Sequence, residues 1–203
     1  MKKIIILTVF LICISSTVFA QRFYFDIGFG FGQVETIIGG NDIIDTLKSA
    51  GIQLGESTVD LGLKIGYRPF DNIRLYTVGE FGSIMHRIGY PDSSSFPQIQ
   101  FNTDLFGPGI IFYPIPYIQL GSSIGFSFAR TRSNISEIQT YNGHGFAWNI
   151  STAIDVGKGN HGCLIGVKYF NANNTLKTSK AKQNTSMISF FVRYAFRDKT
   201  LLF

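Results

Sequence analysis

From Phe23 the chain alternates large apolar residues with small or polar ones, one for one. Phe23, Phe25, Ile27, Phe29 and Phe31 share one face, and Tyr24, Asp26, Gly28, Gly30 and Gly32 share the other. Only a strand has this period of two. The pattern recurs in Val59 to Arg68, Ile118 to Phe128, Phe146 to Val156 and Ile188 to Phe196. Three further strands are less regular and are predicted near 73 to 86, 99 to 113 and 163 to 171. In the second of these, Pro108 lies within Phe106-Gly107-Pro108-Gly109 and cannot donate to a ladder, which predicts a bulge or an early strand end.

The connections alternate in length. Segments 69 to 72, 114 to 116 and 158 to 162 are short and rich in Pro, Gly, Asp and Asn, whereas 33 to 56, about 87 to 98, 131 to 143 and 172 to 184 are long and polar. Eight strands with short turns and both termini at one end and four long loops at the other make an all-β, eight-stranded antiparallel up-and-down transmembrane β-barrel.

A water-soluble barrel would bury the apolar face around a ligand. Here that face is almost wholly large and aromatic, more bulk than an eight-stranded interior holds, while the other face is rich in Gly, Ser and Ala. Tyr67, Tyr113, Tyr117 and Tyr194 also fall near the short-turn strand ends, where an interfacial aromatic girdle belongs. The apolar face is therefore read as lipid-facing.

Composition fits this reading. Charged residues make up 15% of the chain and aromatics another 15%, with 22 glycines. No apolar run beyond the first twenty residues is long enough for a spanning helix. Residues 1–20, with Lys2 and Lys3 ahead of an apolar stretch and Val18 and Ala20 at the end, read as a secretory signal peptide that leaves 21–203 as one barrel domain. The competing readings are a retained anchor and lipid attachment at Cys13. The run Ile4 to Ile14 is short for a bilayer, and bulky Ile12 stands where lipid attachment favours Gly or Ala. Once Cys13 leaves, Cys163 has no partner within the chain. Loss of Lys2 and Lys3 takes 18 basic residues to 16 against 13 acidic ones, too small a surplus to indicate nucleic acid.

On the face assigned to the interior stand five acids, Asp26, Asp60, Glu80, Asp104 and Asp155, and five bases, Lys64, Arg68, Arg74, Lys168 and Arg193. Buried charge must be paired or wet, and an eight-stranded barrel has just enough interior for its side chains. A salt-bridged polar core is expected, with separately hydrated charges as the alternative. Asp26 and Arg193, at similar depth on the first and last strands, are expected to pair across the closing seam.

At this point the chain resembles the small eight-stranded outer-membrane barrels of the OmpA, OmpX and OmpW type. The likeness is most specific in the last strand, where Phe190, Val192, Tyr194 and Phe196 look like the terminal signal read by that family's barrel-assembly machinery. Such signals usually end in a carboxy-terminal aromatic residue. Here Arg197 to Phe203 follow, so either the signal is internal or Phe203 supplies the ending. The resemblance implies outer-membrane location, outer-membrane lipids and lipopolysaccharide as surroundings, and a monomer.

Candidate chemistry is sparse. His86, His144 and His161 lie in no His-x-Ser arrangement of the lipid A deacylase kind. His86 with Asp92 and Ser93 has the residue types of a nucleophile and base, but only by proximity in the chain. No catalytic residue, metal site or cofactor is assigned. In the first long loop Asn41 is a candidate N-cap, Ile43, Ile44 and Leu47 share a helical face, and Gly51 can stop the helix. Such a helix can lid the mouth or simply pack its own apolar side. Lys177, Lys180 and Lys182 in the last loop and Arg130 and Arg132 in the third could hold an anionic surface ligand. The expected role is structural or surface-interacting, adhesin-like, without catalysis. The alternatives are a narrow channel for small or hydrophobic solutes and, last, a lipid-modifying enzyme.

Overall fold

The computed structural model describes residues 22–49, 55–70, 73–89, 98–133, 141–157 and 159–197. The leader, Gly51, Asp92, Ser93 and Phe203 lie outside them. Eight strands form the wall: β1 Phe23–Ile38, β2 Gly55–Tyr67, β3 Leu75–Gly89, β4 Gln98–Ile115, β5 Ile118–Ser133, β6 Asn142–Asp155, β7 His161–Leu176 and β8 Lys182–Arg197. Each pairs antiparallel with the next, and β1 pairs with β8 from Tyr24↔Arg197 to Ile38↔Gln183, which closes the barrel. The β1–β2 ladder runs only from Phe23↔Tyr67 to Gly30↔Asp60, so these two strands are not paired with each other above that level, and the wall has no free edge below it.

Alternation sorts the side chains as the wall requires. Phe29, Phe31, Phe106, Phe126, Phe146, Ile154 and Phe190 all point outward and are more than half exposed. So large an apolar surface suits hydrocarbon rather than water. Tyr67, Tyr117 and Tyr194 are also exposed on the outside, near the short-turn end. Tyr113 is not. It points inward and is fully buried, because β4 places its odd-numbered residues inside.

The strands are longer than the sequence reading expects, running from 13 to 18 residues where about ten cross a bilayer. Parts of the expected loops, namely 33 to 38, 172 to 176 and 182 to 184, are strand. There the outward residues turn polar, as Gln33, Glu35, Asn171, Asn173, Asn184 and Ser186, while the ladder continues. Along the β1–β8 and β7–β8 ladders hydrogen bonding does not stop where the apolar outer face does. Arg130 and Arg132 likewise belong to β5, not to a loop.

Pro108 sits within β4 without a bulge. Pairing to β5 lapses at Gly107 and Pro108 and resumes at Gly109↔Ser123 in the same register, so the missing donor is absorbed locally. The irregularity falls later, between Phe112 and Ile115.

At the long-loop end, Ile37 and Ile38 pair with the two-residue strand Asn41–Asp42, which leads into helix α1, Ile43–Ser49. Asp42, rather than Asn41, caps it, its Oδ1 accepting the backbone N–H of Ile44 at 2.7 Å and of Asp45 at 3.2 Å. Ile44 is buried with Ile88, Ile99 and Phe101, and Ile38 and Ile43 pack against that cluster. The helix therefore lies with an apolar side on the barrel mouth.

Candidate functional site: a charge-filled lumen and a polarised rim

The inward rows build the lumen in three tiers. At the short-turn end, Tyr24, Tyr76 and Tyr113 form a floor, with ring centroids 5.1 Å and 6.2 Å apart. Gln119 Nε2 donates to the hydroxyls of Tyr24 at 2.8 Å and Tyr113 at 2.9 Å, and Tyr24 donates to Asp26 Oδ2 at 2.7 Å.

Four ion pairs follow, three above the floor and the fourth, Arg197 with Asp155, level with it, since Arg197 is the register partner of Tyr24. Arg193 Nη1 is 3.1 Å from Asp26 Oδ1, so the two residues expected to meet across the seam do so, and the Arg193 guanidinium also lies 4.7 Å over the Phe191 ring. Lys64 Nζ is 3.3 Å from Glu80 Oε2. Lys168 pairs with Asp60, which also accepts Ser189 Oγ at 2.9 Å. Arg197 pairs with Asp155, which also accepts the Gly157 N–H at 3.1 Å. All eight side chains are at most 3% exposed.

The third tier is mixed: Ile84, Leu105, Phe170 and Met187 cluster with Ala147 and Ala172 beneath the Ile44 cluster at the mouth, and Thr103, Ser127, Asn149 and Thr185 are buried at the same level.

Glycines make room for the cations. A Cβ on Gly62 would collide with the Arg193 guanidinium, and one on Gly162 with that of Arg197. The small inward residues that set the lipid-facing side in the sequence are thus the same ones that let long basic side chains lie flat against the wall.

Seven of the predicted interior residues, Asp26, Asp60, Lys64, Glu80, Asp155, Lys168 and Arg193, are inside and paired. Asp104 is not among them. It faces outward from β4, where it accepts Ser83 Oγ at 2.6 Å and pairs with Arg130 Nη2 at 2.9 Å. The sequence misleads here because both parities of β4 are apolar, Phe101, Leu105 and Ile111 on one face and Phe106, Ile110 and Phe112 on the other. Arg68 and Arg74 stand just outside β2 and β3 at the short-turn end, the first buried and the second half-buried. Arg197, read from sequence as the start of a tail, is the base that was missed. Its signal was parity, since it continues the inward row of Arg193 and Ala195.

Of the assembly-signal residues, Phe190, Val192 and Tyr194 are exposed on the outer wall of β8 and Phe196 is half-buried there. His86 is buried, its Nε2 4.0 Å from Glu56 Oε2, while His144 and His161 face outward. Among the described residues no three His, Cys, Asp or Glu side chains gather as metal ligands.

Charge at the long-loop end is uneven rather than cleanly divided, since Lys48 lies on α1 and Asp104 on β4. Glu35, Asp42, Asp45 and Glu56 belong to β1, the α1 segment and β2. Arg87, Arg130, Arg132, Lys177, Lys180 and Lys182 lie on the strands and turn from β3 round to β8.

No protein-family model and no curated protein matches the chain. Solved structures do. Ail, the attachment invasion locus protein of Yersinia pestis, in a complex with the heparin analogue sucrose octasulfate, is 16% identical, with 85% of this chain and 97% of that one covered and a TM-score of 0.53. Neisserial surface protein A is 10% identical, with 86% and 96% covered and a TM-score of 0.51. The chain has the fold of the small eight-stranded outer-membrane barrels. At these identities the likeness is one of architecture.

Proposed function

We propose that this protein is a monomeric integral barrel of a bacterial outer membrane, exported through a leader cleaved after Ala20, that acts at the cell surface without conducting solutes or catalysing a reaction. The filled lumen carries this reading. Three ion pairs occupy the middle of the barrel, the Arg197–Asp155 pair and three tyrosines fill the short-turn end, and Ile84, Leu105, Phe170 and Met187 pack above the middle. An eight-stranded barrel has no spare width around such contents. What the barrel offers its surroundings is therefore its wall and its rim.

The rim supplies the ligand class. Six bases from β3 round to β8 favour an anionic polymer, and the sulfated sugar held by structurally similar Ail is of that chemical kind. Binding of a sulfated glycan to the refolded protein tests this. Wild type is expected to bind in a salt-sensitive manner, and Lys177→Gln/Lys180→Gln/Lys182→Gln to bind at least several-fold more weakly. Unchanged, salt-insensitive binding by the triple variant would end the adhesive reading.

A further inference from the structure

On the outer wall, cross-strand pairing stacks four rows above one another on β3 to β6. The lowest is aromatic, with Phe81, Phe106, Phe126 and Phe146 side by side. The next runs Ser83, Asp104, Phe128 and His144, the third Met85, Asn102, Arg130 and Asn142, and the fourth Arg87, Gln100 and Arg132. Successive rows are about 7 Å apart, two residues along a strand. Hydrocarbon-type surface thus gives way to three arginines within about 20 Å of wall height.

This change is one-sided. Above the apolar belt, the outward positions of β1, β2, β7 and the adjoining part of β8 hold Gln33, Glu35, Ser57, Asn171, Asn173, Asn184 and Ser186, and the one base that follows them is Lys182 at the top of β8. The basic side also carries a groove of about 660 Å³, lined by Phe81 and Phe106 below, by Asp104, Phe128 and His144 at mid-height, and by Arg130 and Lys177 above.

Asp104 accounts for the set of Arg130. A carboxylate on a lipid-facing wall is costly unless paired, and Asp104 is held between Ser83 and one nitrogen of the Arg130 guanidinium. Half of the Arg130 side chain remains exposed at the head of the groove. A guanidinium has five N–H donors in a planar fork suited to phosphate, so one carboxylate contact leaves donors for a second anion.

We propose that this face is a specific binding site for a phosphate-bearing acylated lipid of the surrounding leaflet. An acyl chain lies along Phe81, Phe106 and Phe128, and a headgroup phosphate is held by Arg130 with Lys177. The proposal rests on the outer-membrane reading above but not on the glycan-binding one: the two share Lys177, and the variants used here, at Asp104, Arg130 and Phe128, leave all three lysines in place.

The test titrates the refolded barrel in zwitterionic micelles with a bisphosphorylated, multiply acylated disaccharide and with its dephosphorylated form. Native mass spectrometry reads the bound fraction. Wild type is expected to prefer the phosphorylated lipid by about ten-fold, as lost charge-assisted hydrogen bonds imply. Asp104→Asn/Arg130→Gln, which removes the pair without leaving either charge alone, is expected to lose that preference. Arg130→Lys retains part of it, and Phe128→Ala weakens both lipids alike. Heat-modifiable migration of each variant separates a lost lipid contact from a lost barrel. Equal affinity of wild type and D104N/R130Q for the phosphorylated lipid would overturn the proposal. Full displacement of the lipid by millimolar inorganic phosphate would also do so, because it would reduce the site to an anion contact with no place for the chain.

Discussion

Arg193 illustrates how much one residue contributes inside this barrel. It is held by Asp26, lies over Phe191 and fills space that Gly62 leaves open. Removing it by Arg193→Ala strands a buried carboxylate, which typically costs about 3–5 kcal/mol. A lower unfolding midpoint in micelles is expected, and Asp26→Asn/Arg193→Gln should recover part of the loss. An unchanged R193A midpoint would show that the pair contributes little. Gly62→Ala and Gly162→Ala should each destabilise by about 1–3 kcal/mol, the range for overpacking, because a methyl group there displaces a guanidinium. The Asp26–Arg193 pair was legible in the sequence since both residues sit at known depth on strands that closure makes neighbours. Asp104 was not, since its strand is apolar on both faces and periodicity alone has no preferred phase there. Arg197 was legible in principle, as parity carries it inward, but following strand parity past Phe196 meant treating the last strand as longer than a membrane needs.

At the scale of elements, the alternation fixed the number, direction and order of the strands, whereas their lengths escaped it. A strand leaving the lipid keeps its hydrogen bonds but loses its apolar face, so its upper part looks like a polar loop. The α1 segment shows the converse: Ile43 and Ile44 signalled a helix, but the cap fell one residue later because Asp42 offers its carboxylate to two N–H groups. Asp42→Ala is expected to weaken the helix by about 1 kcal/mol. Faster amide exchange confined to Ile43–Ser49, with the barrel midpoint unmoved, is the expected sign. The last strand bears on assembly too. Because Arg197 pairs with Asp155 inside the lumen, the informative truncation removes Asp198 to Phe203 and keeps Arg197. If Phe203 completes the assembly signal, that truncation loses the heat-stable folded form, and if the signal is internal, ending at Phe196, the form persists.

For the whole molecule, the expected electrical behaviour is silence: refolded protein in planar bilayers should show no steady channels. Channels of uniform conductance would mean that the ion pairs rearrange and that the barrel is a conduit. The contents of the lumen make a further demand on the same measurement. Four cations, Lys64, Lys168, Arg193 and Arg197, are matched there by Asp26, Asp60, Glu80 and Asp155. A transmembrane field does work on displaced net charge, about 2.3 kcal/mol per elementary charge per 100 mV. These four pairs, neutral in sum and moving as a unit, offer it no such handle. Stepping the voltage to either sign should therefore neither open the barrel nor hold it shut, and the protein should be as indifferent to polarity as the lipid around it.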